Sequence, residues 1–313
     1  MRVVYMGTPD FAVNTLQALI DSEHEVVGVV TQPDKPKGRG KTMQFTPVKE
    51  LALAHGISVY QPVKVREESF IEELRALNPD IIIVAAFGQI LPEVILNMPK
   101  YGCINVHASL LPKYRGAAPI QWCILDGEKE TGVTIMYMAK GLDTGDMIAK
   151  VTVPIDEQDT GDSLHDKLAK AGAELLIETL PALEAGTAVR EKQDDTLSSY
   201  AKMLTKDMGH IDFTKTAKEI SRLIRGMYSW PGAFTHFHGK TLKIHEADVV
   251  ACEDAGATPG QVVAVDKKSF TVACGEDGLR IMSLQLEGKK HMDTAAFLLG
   301  NTVQEGDMLG AME

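Results

Sequence analysis

Strand and helix signals alternate along the first 186 residues of this 313-residue chain, and that alternation constrains the fold more than any other feature. Apolar runs predict strands, and the stretches with helical spacing between them predict helices. The predicted strands are Val3–Met6, Val26–Thr31, Ile81–Phe87, Gly102–Ala108, Gly132–Met138 and Met147–Ile155. The predicted helices follow caps at Thr8-Pro9-Asp10 and Thr46-Pro47, then occupy Glu67–Leu77, Ala117–Leu125 and Ser163–Glu184. This order predicts a doubly wound α/β domain with a mostly parallel sheet.

The composition changes after Gly186. Thr187–Asp207 is polar and has no clear periodicity, which predicts a linker crossing the surface. One helix, Ala217–Gly226, then precedes five short strand-like runs: Ala233–Phe237, Thr241–Ala247, Gln261–Val265, Phe270–Ala273 and Leu279–Leu286. Short strands at this spacing predict a small β-barrel. We therefore expect a catalytic domain over residues 1–189, a linker over 190–206 and a barrel domain over 207–313.

The charge distribution bears on possible partners. A net charge of −11 argues against nonspecific nucleic-acid binding, which needs a basic surface. Within Asp34–Lys41, however, four bases (Lys35, Lys37, Arg39 and Lys41) accompany one acid, a local charge of +3. Prolines and glycines interrupt this basic segment and predict a mobile loop without regular structure. A solvated surface loop is the alternative interpretation from charge alone.

The four cysteines, Cys103, Cys123, Cys252 and Cys274, form no C-x-x-C pair, and two of them lie in apolar runs. This usage predicts reduced core residues in a cytoplasmic protein. No apolar run approaches the roughly 18 residues of a membrane span, and the first residues lack a signal peptide's long apolar stretch. We therefore expect a protein without a membrane anchor.

Two polar residues interrupt the apolar run at 102–108. Asn105 and His107 are two residues apart, so in a strand both lie on one face near its C-terminal end. In α/β proteins ligands bind at the C-terminal ends of parallel strands. An amide and an imidazole there can donate hydrogen bonds to a carbonyl oxygen that gains negative charge. A histidine satisfied within the core is the alternative interpretation of His107.

A third element is the glycine-flanked loop Gly141–Asp146, which contains Asp143. An aspartate in such a loop is typically a turn former. Beside a histidine it can instead fix the orientation of the imidazole. The combination of Asn105, His107 and Asp143 favours a catalytic site.

Two other kinds of site are less favoured. The first turn, Gly7–Asp10, lacks the G-x-G-x-x-G fingerprint, which argues against a nucleotide-dependent oxidoreductase. His236 and His238 could place two imidazoles on one strand face as half of a metal site. Without a nearby cysteine or acidic cluster, an exposed strand face is the preferred interpretation.

Several motifs are similar to those of a known family. The N-x-H-x-S-L-L-P motif at Asn105–Pro112, the stretch GVTIMYMAKGLDTGDM at 132–147 and the opening MGTPDFA resemble the 10-formyltetrahydrofolate-dependent formyltransferases. TQPDKPKGRGK at 31–41 and IRGMYSWPGAF at 224–234 resemble the members of that family that act on an aminoacylated tRNA. The likeness covers essentially the whole chain. One departure is Ala108, where glycine is equally expected, and a methyl group there puts little in doubt.

The resemblance implies a Rossmann-like formyltransferase domain followed by an OB-like barrel that binds tRNA. It implies transfer of the formyl group of 10-formyltetrahydrofolate, as co-substrate, to the α-amine of methionine esterified to initiator tRNA, with no metal. Asn105 and a protonated His107 would stabilise the oxyanion, and Asp143 would hold the imidazolium and accept or relay the amine's proton.

The resemblance also implies where the two substrates bind. The folate site would include Ser109, Leu110, Leu111 and Pro112, with main-chain groups around Gln89, Ile90 and Leu91. The tRNA-binding residues would be Lys35, Lys37, Arg39 and Lys41. We expect a monomeric, cytoplasmic bacterial enzyme of translation initiation.

Two alternatives stay open at this point. A formyltransferase of the same fold could act on a small amine, such as a purine precursor or an amino sugar, but would have no use for the basic segment. A nucleic-acid-binding module on an inactive α/β domain is disfavoured because all three candidate catalytic residues are present.

Overall fold

A computed structural model describes residues 1–37, 42–252 and 256–310, and it divides them into two compact units. The first unit comprises residues 1–119, 130–154 and 165–201. The second comprises residues 120–129, 155–164 and the C-terminal part from residue 202. Two short pieces that precede residue 165 therefore group with the C-terminal part.

The strands of the first unit are β1 (Arg2–Gly7), β2 (Glu25–Val30), β3 (Lys35–Lys37), β4 (Thr42–Gln44), β5 (Val59–Tyr60), β6 (Ile81–Ala85), β7 (Cys103–His107), β8 (Arg115–Gly116), β9 (Glu130–Tyr137), β10 (Met147–Pro154) and β11 (Tyr200–Ala201). Those of the second are β12 (Ala233–Phe237), β13 (Lys240–Val250), β14 (Val262–Val265), β15 (Phe270–Ala273), β16 (Gly278–Leu286) and β17 (Met292–Asp293). The helices are α1 (Phe11–Ile20), α2 (Pro47–Ala54), α3 (Glu68–Ala76), α4 (Glu93–Leu96), α5 (Pro119–Asp126), α6 (Gly161–Glu184), α7 (Ala217–Gly226) and α8 (Thr294–Leu298).

The first unit is built on a seven-stranded sheet in the order β10-β9-β7-β6-β1-β2-β5. The five strands from β7 to β5 run parallel; β9 extends the sheet antiparallel to β7, and β10 then pairs antiparallel with β9. The predicted mostly parallel sheet is confirmed. All five residues of β6 are buried, as expected for a continuous Ile/Val run covered on both faces.

Local sequence signals account for several helix ends. The Thr46 side chain accepts a hydrogen bond from the Lys49 N–H at 3.1 Å and caps α2. Gly56, with φ of +68°, follows the end of that helix, as its sequence position predicts. Thr216 and Glu219 form a reciprocal capping box at the start of α7.

The predicted Thr8-Pro9-Asp10 cap of α1 is wrong. The helix begins at Phe11, and Asp10 at the N-cap makes no side-chain capping bond. The Thr8 hydroxyl instead donates to the Phe87 carbonyl at 3.1 Å, so it links the turn after β1 to the turn after β6. A hydroxyl at a helix start prefers the cap only when no neighbouring loop competes for it.

The prediction that the basic segment lacks regular structure is also wrong for its described part. Lys35–Lys37 pairs with Thr42–Gln44 as an antiparallel two-stranded ribbon. Pro36 is tolerated there because each strand of such a ribbon keeps one edge unpaired, so a missing N–H need not break the ladder. Residues 38–41, which include Arg39 and Lys41, lie outside the described residues.

The second unit contains one antiparallel sheet in the order β12-β13-β16-β15-β14, with β17 added beside β16. The five predicted strands are confirmed, whereas closure of their sheet into a barrel stays a prediction. Its core includes Leu242, Phe270 and Ile281, against which the buried face of α7 packs. Among the described residues, no helix has both the length and the apolar character needed to cross a membrane.

Candidate active site

Strand β7 positions the two polar residues of the predicted site. It lies between β6, to which it is parallel, and β9, to which it is antiparallel. Asn105 faces Met136 and His107 faces Thr134 across the β7–β9 pair. The two residues therefore share one face at the C-terminal end of the strand, as their spacing predicts.

His107 is 6% exposed and is held by the loop that follows its own strand. Its Nε2 lies 2.9 Å from the Tyr114 carbonyl oxygen. Since a carbonyl can only accept, Nε2 carries the hydrogen, and Nδ1 faces the Asp143 carboxylate. The distance from Nδ1 to Asp143 Oδ2 is 3.8 Å, within reach of an ion pair when the imidazole is protonated and longer than a direct hydrogen bond. The structure thus brings together the histidine and the aspartate that the sequence pairs.

Asn105 carries an unsatisfied polar atom. Its Oδ1 is buried, and it has no hydrogen-bond partner among the described residues. A buried amide oxygen without a partner costs free energy, so in a native fold it calls for a hydrogen-bond donor from elsewhere. Asn105 is therefore available to a bound molecule, while the neighbouring His107 is already oriented.

The loop that carries Asp143 has a constrained backbone. Asp143 lies in the left-handed region with φ of +52°. Its Oδ2 accepts a hydrogen bond from the Gly116 N–H at 2.8 Å. A side chain at Gly145 would place its Cβ 1.7 Å from the Tyr137 carbonyl oxygen, so only glycine fits there. The glycines that flank Asp143 in the sequence thus include one that the turn strictly requires.

The segment Ser109–Pro112, predicted for folate binding, is fixed over the sheet by β9. The Thr134 hydroxyl donates to the Ser109 carbonyl at 2.7 Å and accepts from the Leu111 N–H at 3.1 Å. Ser109 is fully buried, and its hydroxyl donates to the Lys113 carbonyl at 2.7 Å. Leu111 packs with Met136 and Met147. The side chains of Ser109 and Leu111 are therefore occupied within the protein, and any ligand contact falls to the main chain, Leu110 or Pro112.

The other predicted folate segment, Gln89–Leu91, follows β6. Leu91 is buried, whereas the side chain of Ile90 is 82% exposed. The Gln89 Oε1 accepts a hydrogen bond from the Val65 N–H at 3.0 Å, which holds this segment against a neighbouring loop. Of the residues Gln89, Ile90 and Leu91, Ile90 is thus the one with a large apolar side chain exposed to solvent.

A cavity of about 410 Å³ lies beside the Asp143 loop. Its lining includes Leu96, Cys103 and the run 138–140, together with Glu93 and Arg190. Lys140, which precedes the Asp143 loop, belongs to this lining, whereas Gln89–Leu91 and Ser109–Pro112 do not. The predicted folate segments Gln89–Leu91 and Ser109–Pro112 therefore do not contribute to this particular cavity.

In the basic segment, the one acid, Asp34, is paired with a lysine outside the segment. Lys35 is exposed, and the backbone of Lys37 lies in β3. Asp34 accepts a hydrogen bond from Lys49 Nζ at 2.6 Å, and this bond holds the pKa of Asp34 below its ordinary value. Because the Asp34 charge is paired with Lys49, it does little to offset the lysines that follow it.

The second unit offers no support for a histidine metal site. β12 ends at Phe237, and His238 lies in the following turn with φ of +47°. His236 and His238 therefore do not share a strand face, because the chain turns between them. In the described part of the chain, no group of three or more histidine, cysteine, aspartate or glutamate side chains could hold a metal ion.

Two polar residues of this region were missed by sequence reasoning. Thr134 lies in an apolar run, where a lone hydroxyl could have been noticed. Gln193 lies in the segment predicted as a linker, yet it is 6% exposed and contacts the Asp143 loop. Nothing in a polar, aperiodic stretch distinguishes a buried glutamine from an exposed one.

Comparisons with known proteins identify the family of this chain. Residues 1–180 match the model of the Formyl transferase family, and residues 203–302 match that of the Formyl transferase, C-terminal domain. The chain is 57% identical to the methionyl-tRNA formyltransferase of Lachnospira eligens, over 99% of this chain and 100% of that one. It is 57% identical to the methionyl-tRNA formyltransferase of Agathobacter rectalis, over 98% of each chain.

A solved structure shows the same fold at low identity. The N-formyltransferase from Helicobacter canadensis, crystallised with folinic acid and dTDP-3-aminofucose, superposes with a TM-score of 0.67. The match covers 90% of this chain and 98% of that one at 22% identity. This likeness establishes the architecture, while the curated relatives establish the family.

Proposed function

Because this chain belongs to the formyl transferase family, we propose that it transfers the formyl group of 10-formyltetrahydrofolate to the α-amino group of methionyl initiator tRNA. The observation that carries this proposal is the 57% identity, over the full length of both chains, to a relative named methionyl-tRNA formyltransferase. That identity extends through the second unit as well as the first. The product would be N-formylmethionyl-tRNA for translation initiation.

The proposed chemistry is direct acyl transfer. The neutral amine attacks the formyl carbon, the carbonyl electrons move to the oxygen, and a tetrahedral adduct with an oxyanion and a positive nitrogen forms. The nitrogen then loses a proton, N10 of the folate gains one, and the bond between the formyl carbon and N10 breaks. The enzyme must therefore stabilise one oxyanion and move one proton.

Asn105 and His107 on β7, together with Asp143 in the loop after β9, suit these two tasks. In this proposal the Asn105 amide and the His107 imidazolium stabilise the oxyanion, and the unsatisfied amide oxygen of Asn105 is free to accept from the amine. Asp143 holds the imidazolium from 3.8 Å and takes the amine's proton directly or through water. The support for these roles is that three polar groups of the required kinds converge where ligands of α/β folds bind.

10-Formyltetrahydrofolate is the co-substrate of this family, and we propose that it lies against the Asp143 loop. Main-chain groups of Gln89–Leu91 would pair with the pterin edge, and Ser109–Pro112 would form a second wall through its backbone. The cavity of about 410 Å³ whose lining includes Leu96, Cys103 and Lys140 lies beside that loop.

We propose that the basic segment contacts the tRNA. Lys35 is exposed on the β3–β4 ribbon, and the sequence adds Lys37, Arg39 and Lys41 within six residues of it. A cationic projection of this kind can neutralise phosphates of an acceptor stem although the chain as a whole is acidic. The second unit, proposed as the tRNA-binding domain, would supply further contacts through a local patch.

The remaining assignments are also proposals. We propose residues 1–189 as the catalytic domain, residues 190–206 as a linker whose part up to residue 201 folds with the first compact unit, and residues 207–313 as the C-terminal domain. We propose a monomer that works in the cytoplasm, since its relatives are enzymes of bacterial translation and no described helix has the character of a membrane span.

One assay tests the proposed function. Purified protein is given radiolabelled 10-formyltetrahydrofolate and, in parallel, methionyl initiator tRNA, free methionine, a purine-precursor amine and an amino sugar. We expect rapid transfer to the charged tRNA and transfer at least a hundredfold slower to each small amine. Comparable transfer to a small amine would instead support the small-amine alternative.

A further inference from the structure

The Asp143 loop is held from a part of the chain that lies 50 residues further on. The Gln193 side chain is 6% exposed. Its Nε2 donates to two main-chain carbonyls of the loop, that of Asp143 at 2.8 Å and that of Gly145 at 2.8 Å. One amide group thus ties down both sides of the turn that carries the aspartate.

Arg115 fixes which way the Gln193 amide points. The arginine donates to Gln193 Oε1 from Nε at 3.1 Å and from Nη2 at 2.9 Å. Because a guanidinium only donates, the oxygen of the amide must face it, and the amide nitrogen is directed at the loop. Arg115 also pairs with Asp195 at 2.7 Å, so a charged group holds the neutral one in place.

The same short region holds the Asp143 carboxylate. Gly116, the residue after Arg115, donates its N–H to Asp143 Oδ2 at 2.8 Å. Arg115 and Gly116 form β8, which pairs with Tyr200 and Ala201 of β11. A Cβ at Gly116 would lie 2.6 Å from the Tyr200 ring and 2.7 Å from the Ala201 carbonyl, so this close pairing requires glycine.

Asp143 needs such support because its backbone is in the left-handed region, with φ of +52°. A non-glycine residue persists there only when its surroundings over-determine the conformation. Gln193 holds the carbonyl of Asp143 and Gly116 holds its carboxylate. The separation of 3.8 Å between Asp143 and His107 is therefore set by groups outside the three proposed catalytic residues.

We infer that Gln193, oriented by Arg115, is a positioning residue that holds Asp143 at its working distance from His107. This inference rests on the proposed function, in which Asp143 stabilises the imidazolium and moves the amine's proton. Gln193 touches neither substrate in this account and acts only through the Asp143 loop. Misplacing a catalytic group by about 1 Å can lower the rate of a reaction roughly a hundredfold.

Two variants separate this role from simple packing. Gln193→Met keeps the length of the side chain and removes its hydrogen bonds. Gln193→Glu keeps the oxygen that faces Arg115 and removes the two hydrogen bonds donated to the loop. The glutamate can form an ion pair with Arg115 that maintains folding, whereas the methionine cannot. The matched control is Gln285→Met in the second unit, where the lost amide donates to the Lys289 carbonyl at 2.9 Å.

We expect both Gln193 variants to lower kcat for formyl transfer about 10- to 100-fold, with KM for methionyl-tRNA within about twofold of wild type. Gln285→Met should leave both constants unchanged. Thermal unfolding of each variant confirms that the folded protein is being assayed. A kcat within twofold of wild type in the folded Gln193→Glu protein would overturn the inference.

A double-mutant cycle with Asp143→Asn decides whether Gln193 acts through Asp143. When Asp143 is already asparagine, Gln193→Glu should lower kcat by less than about twofold more. A further 10-fold loss in that background would overturn the inference and leave the proposed function intact. If Asp143→Asn alone left kcat unchanged, the role of Asp143 and this inference would both be wrong. If wild type did not formylate methionyl-tRNA at all, the proposed function would fail first.

Discussion

The two sheets bury their strands in different ways, and the difference explains where each unit can place functional groups. All five residues of β6 in the first unit are buried. In the second unit, β12 alternates, with Ala233, Thr235 and Phe237 buried and the residues between them partly exposed. A strand covered on both faces offers no side chain to a ligand, so polar groups concentrate at its end and in the loops that follow. An alternating strand instead offers one row of side chains along its whole length.

The site in the first unit follows from this constraint. Asn105 and His107 lie at the end of β7, and Asp143 lies in a loop that needs bonds from Gly116 and Gln193 to hold its shape. Groups on loops are precise only when other groups brace them. The second unit needs no such bracing for its outward side chains, because each strand fixes their direction. The following predictions test this contrast.

The largest effect should come from the three proposed catalytic residues. Asn105→Ala, His107→Ala and Asp143→Ala should each lower the single-turnover rate about 10²- to 10⁴-fold, because each removes one oxyanion donor or one proton-transfer group. His238→Ala, at an exposed turn of the second unit, is the control and should retain the wild-type rate. A rate within tenfold of wild type for any of the three would remove that residue from the mechanism.

The burial patterns themselves predict a stability contrast. Ile82→Ala and Ile83→Ala, at adjacent and fully buried positions of β6, should each cost about 2–5 kcal/mol. In β13, Ile244→Ala should cost about the same, whereas Lys243→Ala beside it should cost roughly 1 kcal/mol or less. Native-state hydrogen exchange on peptides from each unit measures these losses separately. Equal losses at Ile244 and Lys243 would show that the alternation does not govern the stability of the second sheet.

A smaller effect concerns recognition by the basic segment. Arg39→Ala should weaken use of methionyl-tRNA about tenfold, and Arg39→Lys should recover only part of it because lysine lacks the planar fork. The salt dependence of tRNA binding should also become shallower by about one phosphate contact. Folate binding, followed by calorimetry, should be unchanged, and the exposed Arg75→Ala on α3 is the control for loss of a positive charge. Unaltered formylation by Arg39→Ala across salt concentrations would mean that the basic segment is a solvated surface loop that does not recognise the tRNA.

The smallest effect is a pH dependence confined to the second unit. Burial and then the charge of His291, whose ring lies 4.2 Å away, lower the pKa of His245 from its ordinary value of 6.5. As the pH falls through 6.5, the unfolded chain therefore binds a proton that the folded unit does not, and stability declines. His245→Gln should flatten the fall in stability of the second unit between about pH 7 and pH 5. An unchanged slope would mean that His245 titrates alike in both states.

The sequence predicted most of the regular structure because each element carried its own periodicity. The α7 helix and the β12 and β15 strands have the predicted bounds, and the capping residue and following glycine of α2 were correctly read. Ribbon β3–β4 was missed because prolines mark it as irregular, and its pairing depends on contacts between two short segments. Strands of two residues, such as β8 and β11, carry no periodicity from which to predict them.

The site was predictable in part for a similar reason. Asn105 and His107 stand out because they interrupt an apolar strand, and Asp143 because glycines surround it. Gln193 does not stand out, since its neighbours are also polar and its burial arises only when residues 191–201 return to the Asp143 loop. Sequence patterns reveal a polar residue among apolar ones, but they do not reveal which polar residue becomes buried.

The return of residues 191–201 bears on how this protein can be cut and recombined. A fragment that stopped at residue 180, where the match to the first family model ends, would lack Gln193 and β11. An isolated catalytic fragment should therefore run through Ala201, where the first compact unit ends. In chimaeras between relatives, Arg115 and Gln193 should come from the same parent, so a single junction should not fall between them.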